Sequence, residues 1–146
     1  MKGLDTKSVA DALTRIVEFE LAGVVRFTHY SLMVTGPMRL SVVGFLKGQA
    51  SESLLHAQKA GEILTGLGGH PSLKIASLDE THRHALADIL AESLAHEQKA
   101  VELYQKLLAL VREQSVYLEE YARQMISAEE AGVLELNKLL RDLAPQ

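Results

Sequence analysis

The chain contains no cysteine, so disulfide staples and thiolate metal sites are excluded. It has only three prolines, and neither proline nor glycine occurs between residues 72 and 131. So long a stretch without helix breakers favours an all-helical fold. No run approaches the ~20 consecutive apolar residues that a membrane span needs. There is no long basic run either, and the formal net charge is −4, which argues against nucleic acid as the main partner. The opening MKGLDTKSVADALTRIV carries acids and has no continuous apolar block, so it does not read as a secretory signal. These absences lead to the expectation of a cytoplasmic protein with no membrane partner.

What is present is a chain of 146 residues, 47% hydrophobic and 23% charged, which is enough for one domain over 1–146 with a real core. Stepping in threes and fours from Leu86 picks out Leu90, Leu94, Glu97, Val101, Tyr104 and Leu108. That is the apolar stripe of a helix with a carboxylate in its middle. Burying an unpaired charge costs several kcal/mol, so a carboxylate there must be paired, protonated or metal-bound.

The same anomaly recurs along the chain. A first helix over about Asp5–Thr35 has Leu13, Ile16, Val17, Val24 and Phe27 on one side, with Glu20 among them and Gly36-Pro37 as its stop. Glu18 is rotated off that stripe and reads as an ordinary solvated acid. A second helix over about Arg39–Leu67 places His56 with Val42, Phe45, Ile63 and Leu67. The third opens after Ser77, where Ser77-Leu78-Asp79-Glu80 has the pattern of a capping box, and runs to about Val111. A fourth from a Ser115 cap to Leu143 places Glu129 among Leu118, Ala122, Met125, Ile126, Val133, Leu136 and Leu140.

The first and third connections are short, so each joins antiparallel neighbours. Residues from Gly66 to Ser77 can span ~40 Å when extended, against ~42 Å for a helix of about 28 residues. The expected architecture is an all-α four-helix bundle with one long crossover between helices 2 and 3. Its core then receives Glu20, His56, Glu97 and Glu129, a donor set of carboxylates and one imidazole that suits iron or manganese.

The segment Glu20-Leu21-Ala22 through Phe27, His56-Ala57, the turn Leu67-Gly68-Gly69-His70-Pro71-Ser72-Leu73, Leu94 to Tyr104 and Met125 to Gly132 together resemble bacterioferritins and related ferritin-like proteins. The resemblance runs from about Asp5 to Leu143 and implies a ferritin-like fold with a di-iron carboxylate centre that oxidises Fe(II). It also implies two further ligands, a glutamate three residues before His56 and a histidine three after Glu129. Those positions hold Ser53 and Gly132. Glu52, one turn before His56, is the residue placed to substitute as a ligand, or else a solvated acid. The expectation is one iron ion or a loose pair held by Glu20, His56, Glu97, Glu129 and Glu52.

The position of the haem-binding methionine of bacterioferritins holds Leu54, which implies no haem. The chain stops at Pro145-Gln146 without the fifth helix of shell-forming ferritins, so a homodimer is expected more than a closed cage, with larger homo-oligomers and a ferritin-like paralogue as further partners. Tyr30, Leu32 and Met33 are candidates for such a contact. The alternative function is a non-catalytic structural or interaction subunit. Among the remaining histidines, His29, His82 and His84 read as surface or helix-end residues, and His96, rotated about 100° from Glu97, reads as pointing away from the site.

Overall fold

The structure, a computed structural model, describes residues 3–144; the Pro145-Gln146 end lies outside them. Four helices account for most of the chain: α1 (Thr6–Met33), α2 (Arg39–Gly66), α3 (Leu86–Val111) and α4 (Val116–Leu143). Among the described residues, no helix is long and apolar enough to cross a membrane.

Local chemistry sets most of the boundaries. Asp5 caps α1 by accepting from the Ser8 backbone N–H, and Ser115 caps α4 by accepting from that of Leu118. Gly36 and Gly68 follow α1 and α2 with φ of 115° and 85°, a left-handed backbone that side chains with a Cβ rarely adopt. The break between α3 and α4 falls at 112–115, and Glu113 takes φ 63° there.

The start of α3 differs from the expected one. Ser77-Leu78-Asp79-Glu80 does not cap a helix, and α3 begins only at Leu86 after an Ala85 cap with no side-chain hydrogen bond. The reason is competition for the same groups. The Glu80 carboxylate accepts from the His82 backbone N–H, and the Thr81 hydroxyl donates to Glu92, so the segment is held out of a helix by local bonds of its own.

The crossover, residues 67–85, is consequently longer than the sequence suggested. It is pinned at two heights on α1. Midway, the Ala76 N–H donates to the Glu18 carbonyl and the Ser72 hydroxyl to the Glu18 carboxylate at 2.6 Å. Glu18 is therefore an anchor for the crossover, with its side chain only 14% exposed, and not the solvated acid its rotation implied. At the far end, the Thr35 N–H donates to the His84 carbonyl, closing a parallel bridge between Thr35 and Ala85. This bridge sets the end of α1 beside the start of α3. With short turns between α1 and α2 and between α3 and α4, it fixes α2 and α3 as the parallel pair.

The core is divided. One apolar cluster joins Val9, Leu13, Ile16, Ile63, Leu64, Tyr104, Leu107 and Leu118, among others. A second, towards the other end, joins Phe27, Tyr30, Val34, Leu46, Ile89, Leu90 and Leu136. Each buried Leu or Ile contributes about 1.5–3 kcal/mol, so both halves are strongly self-associating. Glu20, His56, Glu97 and Glu129 occupy the sequence positions between the two clusters on their four helices. Of the apolar residues expected at a partner, Leu32 and Met33 are 67% and 38% exposed, whereas Tyr30 is buried, with Arg26 donating to its hydroxyl at 3.0 Å.

Gly23 is a packing requirement rather than a helix defect. A Cβ there would stand 2.7 Å from the Ser53 hydroxyl and 2.9 Å from His96 Nε2. Gly23→Ala should therefore lower unfolding stability by about 1–3 kcal/mol through overpacking, reversing the ~1 kcal/mol that alanine gains in an open helix. Urea denaturation checks this, and a stabilised variant would contradict the close approach of α1 to Ser53 and His96.

Candidate metal centre

Each helix brings one polar group into the gap between the two apolar clusters. Glu20 of α1, Glu97 of α3 and Glu129 of α4 are 3%, 6% and 5% exposed. They are buried because each falls on the stripe that carries its helix into the core, as the Leu86–Leu108 pattern predicts. His56 of α2 reaches between them. Its Nδ1 lies 2.7 Å from Glu20 Oε2 and 3.1 Å from Glu129 Oε1. Ligand atoms of Glu20, His56 and Glu129 all lie within 4.8 Å of one another. Tyr104, two turns beyond Glu97, donates its hydroxyl to Glu20 Oε2 at 3.2 Å and so holds that carboxylate in place.

The charges are compensated by protons. Burial alone would depress the His56 imidazole, but its hydrogen bonds to Glu129 and Glu20, and their charges, push it up to about 10. Burial, a hydrogen bond with Glu129 and the Glu129 and Glu20 charges push Glu97 up to about 10. Burial raises Glu20 as well, against the pull of His56. Burial likewise disfavours ionised Glu129, yet hydrogen bonds with His56 and Glu97 prevail and hold its carboxyl below the usual range. At neutral pH the cluster thus sets the His56 imidazolium against the Glu129 carboxylate, with Glu97 protonated and burial pushing Glu20 towards its neutral form.

A cavity of about 330 Å³ adjoins these groups, lined by Gln49, Glu52, Ser53, His56, Glu97 and Glu129, with Ala128 and Gly132 completing its wall. Glu52 stands at its mouth. Its side chain is 62% exposed, and Oε2 lies 3.2 Å from His56 Nε2. Glu52 is therefore exposed to solvent within reach of the imidazole, while the ligand atoms that converge within 4.8 Å of one another belong to Glu20, His56 and Glu129 and not to Glu52 or Glu97. Ser53 is buried, and Gly132 leaves room: an added Cβ would meet Glu97 Oε2 only at 3.7 Å.

Three carboxylates and one imidazole, of which His56, Glu97 and Glu129 line the cavity, are a donor set for a divalent cation of the iron or manganese type. The fit has a chemical condition. His56 and Glu97 must lose their protons for a cation to replace them as the compensating charge. Glu130 is exposed, as its rotation from Glu129 predicts.

His96 is absent from the converging ligand group, in line with its rotation from Glu97, but the rotation does not take it to solvent. It is buried inside the subunit, stacked on Phe19 at 4.2 Å and edge-on to Phe27 at 5.2 Å between ring centroids. Neither ring nitrogen has a hydrogen-bond partner, and burial, reinforced by the Arg26 charge, depresses its pKa to about 4. A rotation of about 100° carries a side chain off one stripe, but in a bundle it lands it on the face towards another helix, here α1. Proximity of the two aromatic residues Phe19 and Phe27 on α1 was the missing signal, and it is not local to α3.

The comparisons with known proteins agree with this architecture. A family model described as a ferritin-like domain matches residues 10–144. A ferritin-like, diiron-carboxylate protein of Bacillus anthracis superposes with a TM-score of 0.88 at 21% identity, covering 96% of this chain and 99% of that one. The bacterioferritin-related protein of Bacteroides fragilis, a dodecameric thioferritin, gives 0.86 at 24% identity over 96% of this chain and 88% of that one. Rhodobacter capsulatus bacterioferritin, solved with a metal-free dinuclear site and haem iron, gives 0.83 at 24% identity, covering 97% and 87%. No curated protein sequence matches the chain. At these identities the solved structures speak for the fold, and the family model extends over nearly the whole chain: it belongs to the ferritin-like family.

Proposed function

We propose that the chain is a ferritin-like iron-binding protein that takes Fe(II) as its cargo at Glu20, His56, Glu97 and Glu129, with Glu52 at the mouth of the site. The observation that carries this is the burial of three carboxylates around a partly shielded imidazole, one group from each helix, beside a cavity that Glu52, His56, Glu97 and Glu129 help to line. Evolution of a stable bundle alone would replace such a layer with apolar groups at little cost or a gain. Carboxylate donors favour the higher charge of Fe(III), which is the chemistry of oxidation by dioxygen in the family the chain resembles.

The chain's own groups have distinct tasks in this proposal. Glu52, exposed beside His56, attracts the cation to the cavity. His56 and Glu97 release protons as it enters. Tyr104 keeps Glu20 oriented. Ser53 and Gly132, at the positions where the family resemblance implies two more ligands, leave the site with reduced competence for rapid oxidation. Assembly into a homo-oligomer is part of the same proposal, supported by the exposed Leu32 and Met33 and by the dodecamer of the Bacteroides fragilis relative.

The test is metal content after chelator-free purification from iron-supplemented cells. The wild type should retain iron, and Glu97→Ala should retain at least about tenfold less. Equal and negligible iron in both would contradict the proposal.

A second reading has its own support. With His56 charged against Glu129, Glu97 protonated and Glu20 pushed by burial towards its neutral form, the polar layer is internally compensated, as a subunit serving only assembly would require. Such a subunit would form the same oligomer, with the same melting temperature, in the presence and absence of Fe(II).

A further inference from the structure

Away from the bundle centre, a second group of ligand atoms converges where the crossover returns to α1. His29 near the end of α1, Glu80 of the crossover and His84 just before α3 present ligand atoms that all lie within 4.8 Å of one another. His29 Nε2 is 2.9 Å from Glu80 Oε2, and His84 Nε2 is 3.8 Å from Glu80 Oε1. Both Nε2 atoms are shielded from solvent and lack a hydrogen-bond partner, since the approach to Glu80 satisfies the distance and not the geometry of such a bond. Two imidazole nitrogens shielded from water and facing one half-exposed carboxylate, with no hydrogen bond formed between them, leave donor atoms that an ion can join.

We propose that His29, Glu80 and His84 bind a divalent transition-metal ion of the zinc type, distinct from the bundle centre. Two histidines and one carboxylate are an established donor set for Zn²⁺, with water completing a tetrahedron. The ligands are held by contacts made elsewhere, which lowers the cost of organising the site. The His84 carbonyl accepts from both the Thr35 N–H and its hydroxyl, at 2.9 and 3.1 Å. Glu80 Oε1 accepts from the His82 N–H at 3.0 Å, across a backbone that takes φ 58° at His82. The adjoining cavity of about 160 Å³ carries Arg26 and Arg83 but also Asp79 and Glu92, so the surrounding charge is mixed rather than repulsive. An ion here ties the end of α1 to the last residues of the crossover and so secures the connection that makes α2 and α3 parallel.

Zinc titration of chelator-stripped protein by calorimetry, with melting temperatures alongside, tests this. Wild type and a Glu20→Ala/Glu129→Ala chain should share one zinc-binding step that raises the melting temperature. In His29→Ala/His84→Ala that step should weaken by about 100-fold or vanish, and in Glu80→Gln by about tenfold. Circular dichroism in chelator establishes that each variant is folded, and Glu80→Gln decides the matter should the double histidine variant not be. Zinc binding unchanged in Glu80→Gln, or confined to the step that Glu20→Ala/Glu129→Ala removes, would overturn the proposal. Failure here leaves the iron reading intact, because the two sites share no residue.

Discussion

Ser53→Glu combined with Gly132→His should raise the rate of Fe(II) oxidation by about two orders of magnitude over the parent chain. Both positions line the cavity that also holds His56, Glu97 and Glu129, so both new side chains face the groups they must join. Gly132 accepts a side chain without a clash, since its added Cβ makes only an ordinary contact with Glu97 at 3.7 Å. Leaving glycine also regains a few tenths of a kcal/mol of helix propensity. At Ser53 the present hydroxyl lies against Gly23, and the longer glutamate must instead extend into the cavity. Stopped-flow measurement of Fe(II) loss under dioxygen would give the comparison. The single variants should each fall between parent and double variant, because one added ligand cannot complete two coordination positions. A parent already as fast as the double variant would show that Ser53 and Gly132 do not limit the site.

Cation binding at the bundle centre should be steeply pH-dependent, with apparent affinity rising up to about 100-fold per pH unit between pH 6 and 8. That slope corresponds to release of about two protons, each worth tenfold per unit. The donors are His56 and Glu97, both pushed up to about 10 in the folded chain and both required unprotonated by a metal. The same two shifts set the stability of the metal-free protein. A pKa raised on folding means that the folded state binds its proton more tightly, so the contribution is complete at low pH and is lost as pH rises. The loss begins above 4.5 for Glu97 and above 6.5 for His56 and continues to about 10 for each. The metal-free chain should thus melt at progressively lower temperature through that window, and saturating Mn²⁺ should flatten the decline. Glu97→Gln, a permanent mimic of the protonated acid, should release about one proton fewer on metal binding. Pairs of calorimetric titrations in buffers of different ionisation enthalpy count the protons directly. No proton release in the wild type would mean that His56 and Glu97 are not displaced by the cation.

Much of the bundle was legible because one principle governs it. Helices whose apolar stripes repeat every three to four residues must bury those stripes, and Glu20, Glu97 and Glu129 are buried because they sit on them. His56 followed in the same way. The cap at Ser115 and the stop at Gly36 are local, so sequence spacing suffices to find them.

Most of the differences involve partners distant along the chain. Glu18 looked solvated because nothing within its helix reveals that Ser72 and Ala76 will lie across it. Ser77 looked like a helix cap because the pattern is correct, while the decisive competition came from bonds at Glu80, Thr81 and Glu92. The rotation of His96 from Glu97 says only that it leaves the ligand stripe; its burial against Phe19 and Phe27 depends on α1, a second neighbour of the same helix. His29, Glu80 and His84 carry no shared motif, and only the docking of the crossover onto α1 brings them together.

The central claim is that a cation replaces protons among Glu20, His56, Glu97 and Glu129. An anomalous difference map at the iron absorption edge, from crystals loaded with Fe(II) without oxygen, tests it most directly. A peak within ~2.5 Å of carboxylate oxygens of Glu20 and Glu129, with His56 turned onto the ion, is the predicted result. A map with no density there, and His56 still bonded to Glu20 and Glu129, would contradict it.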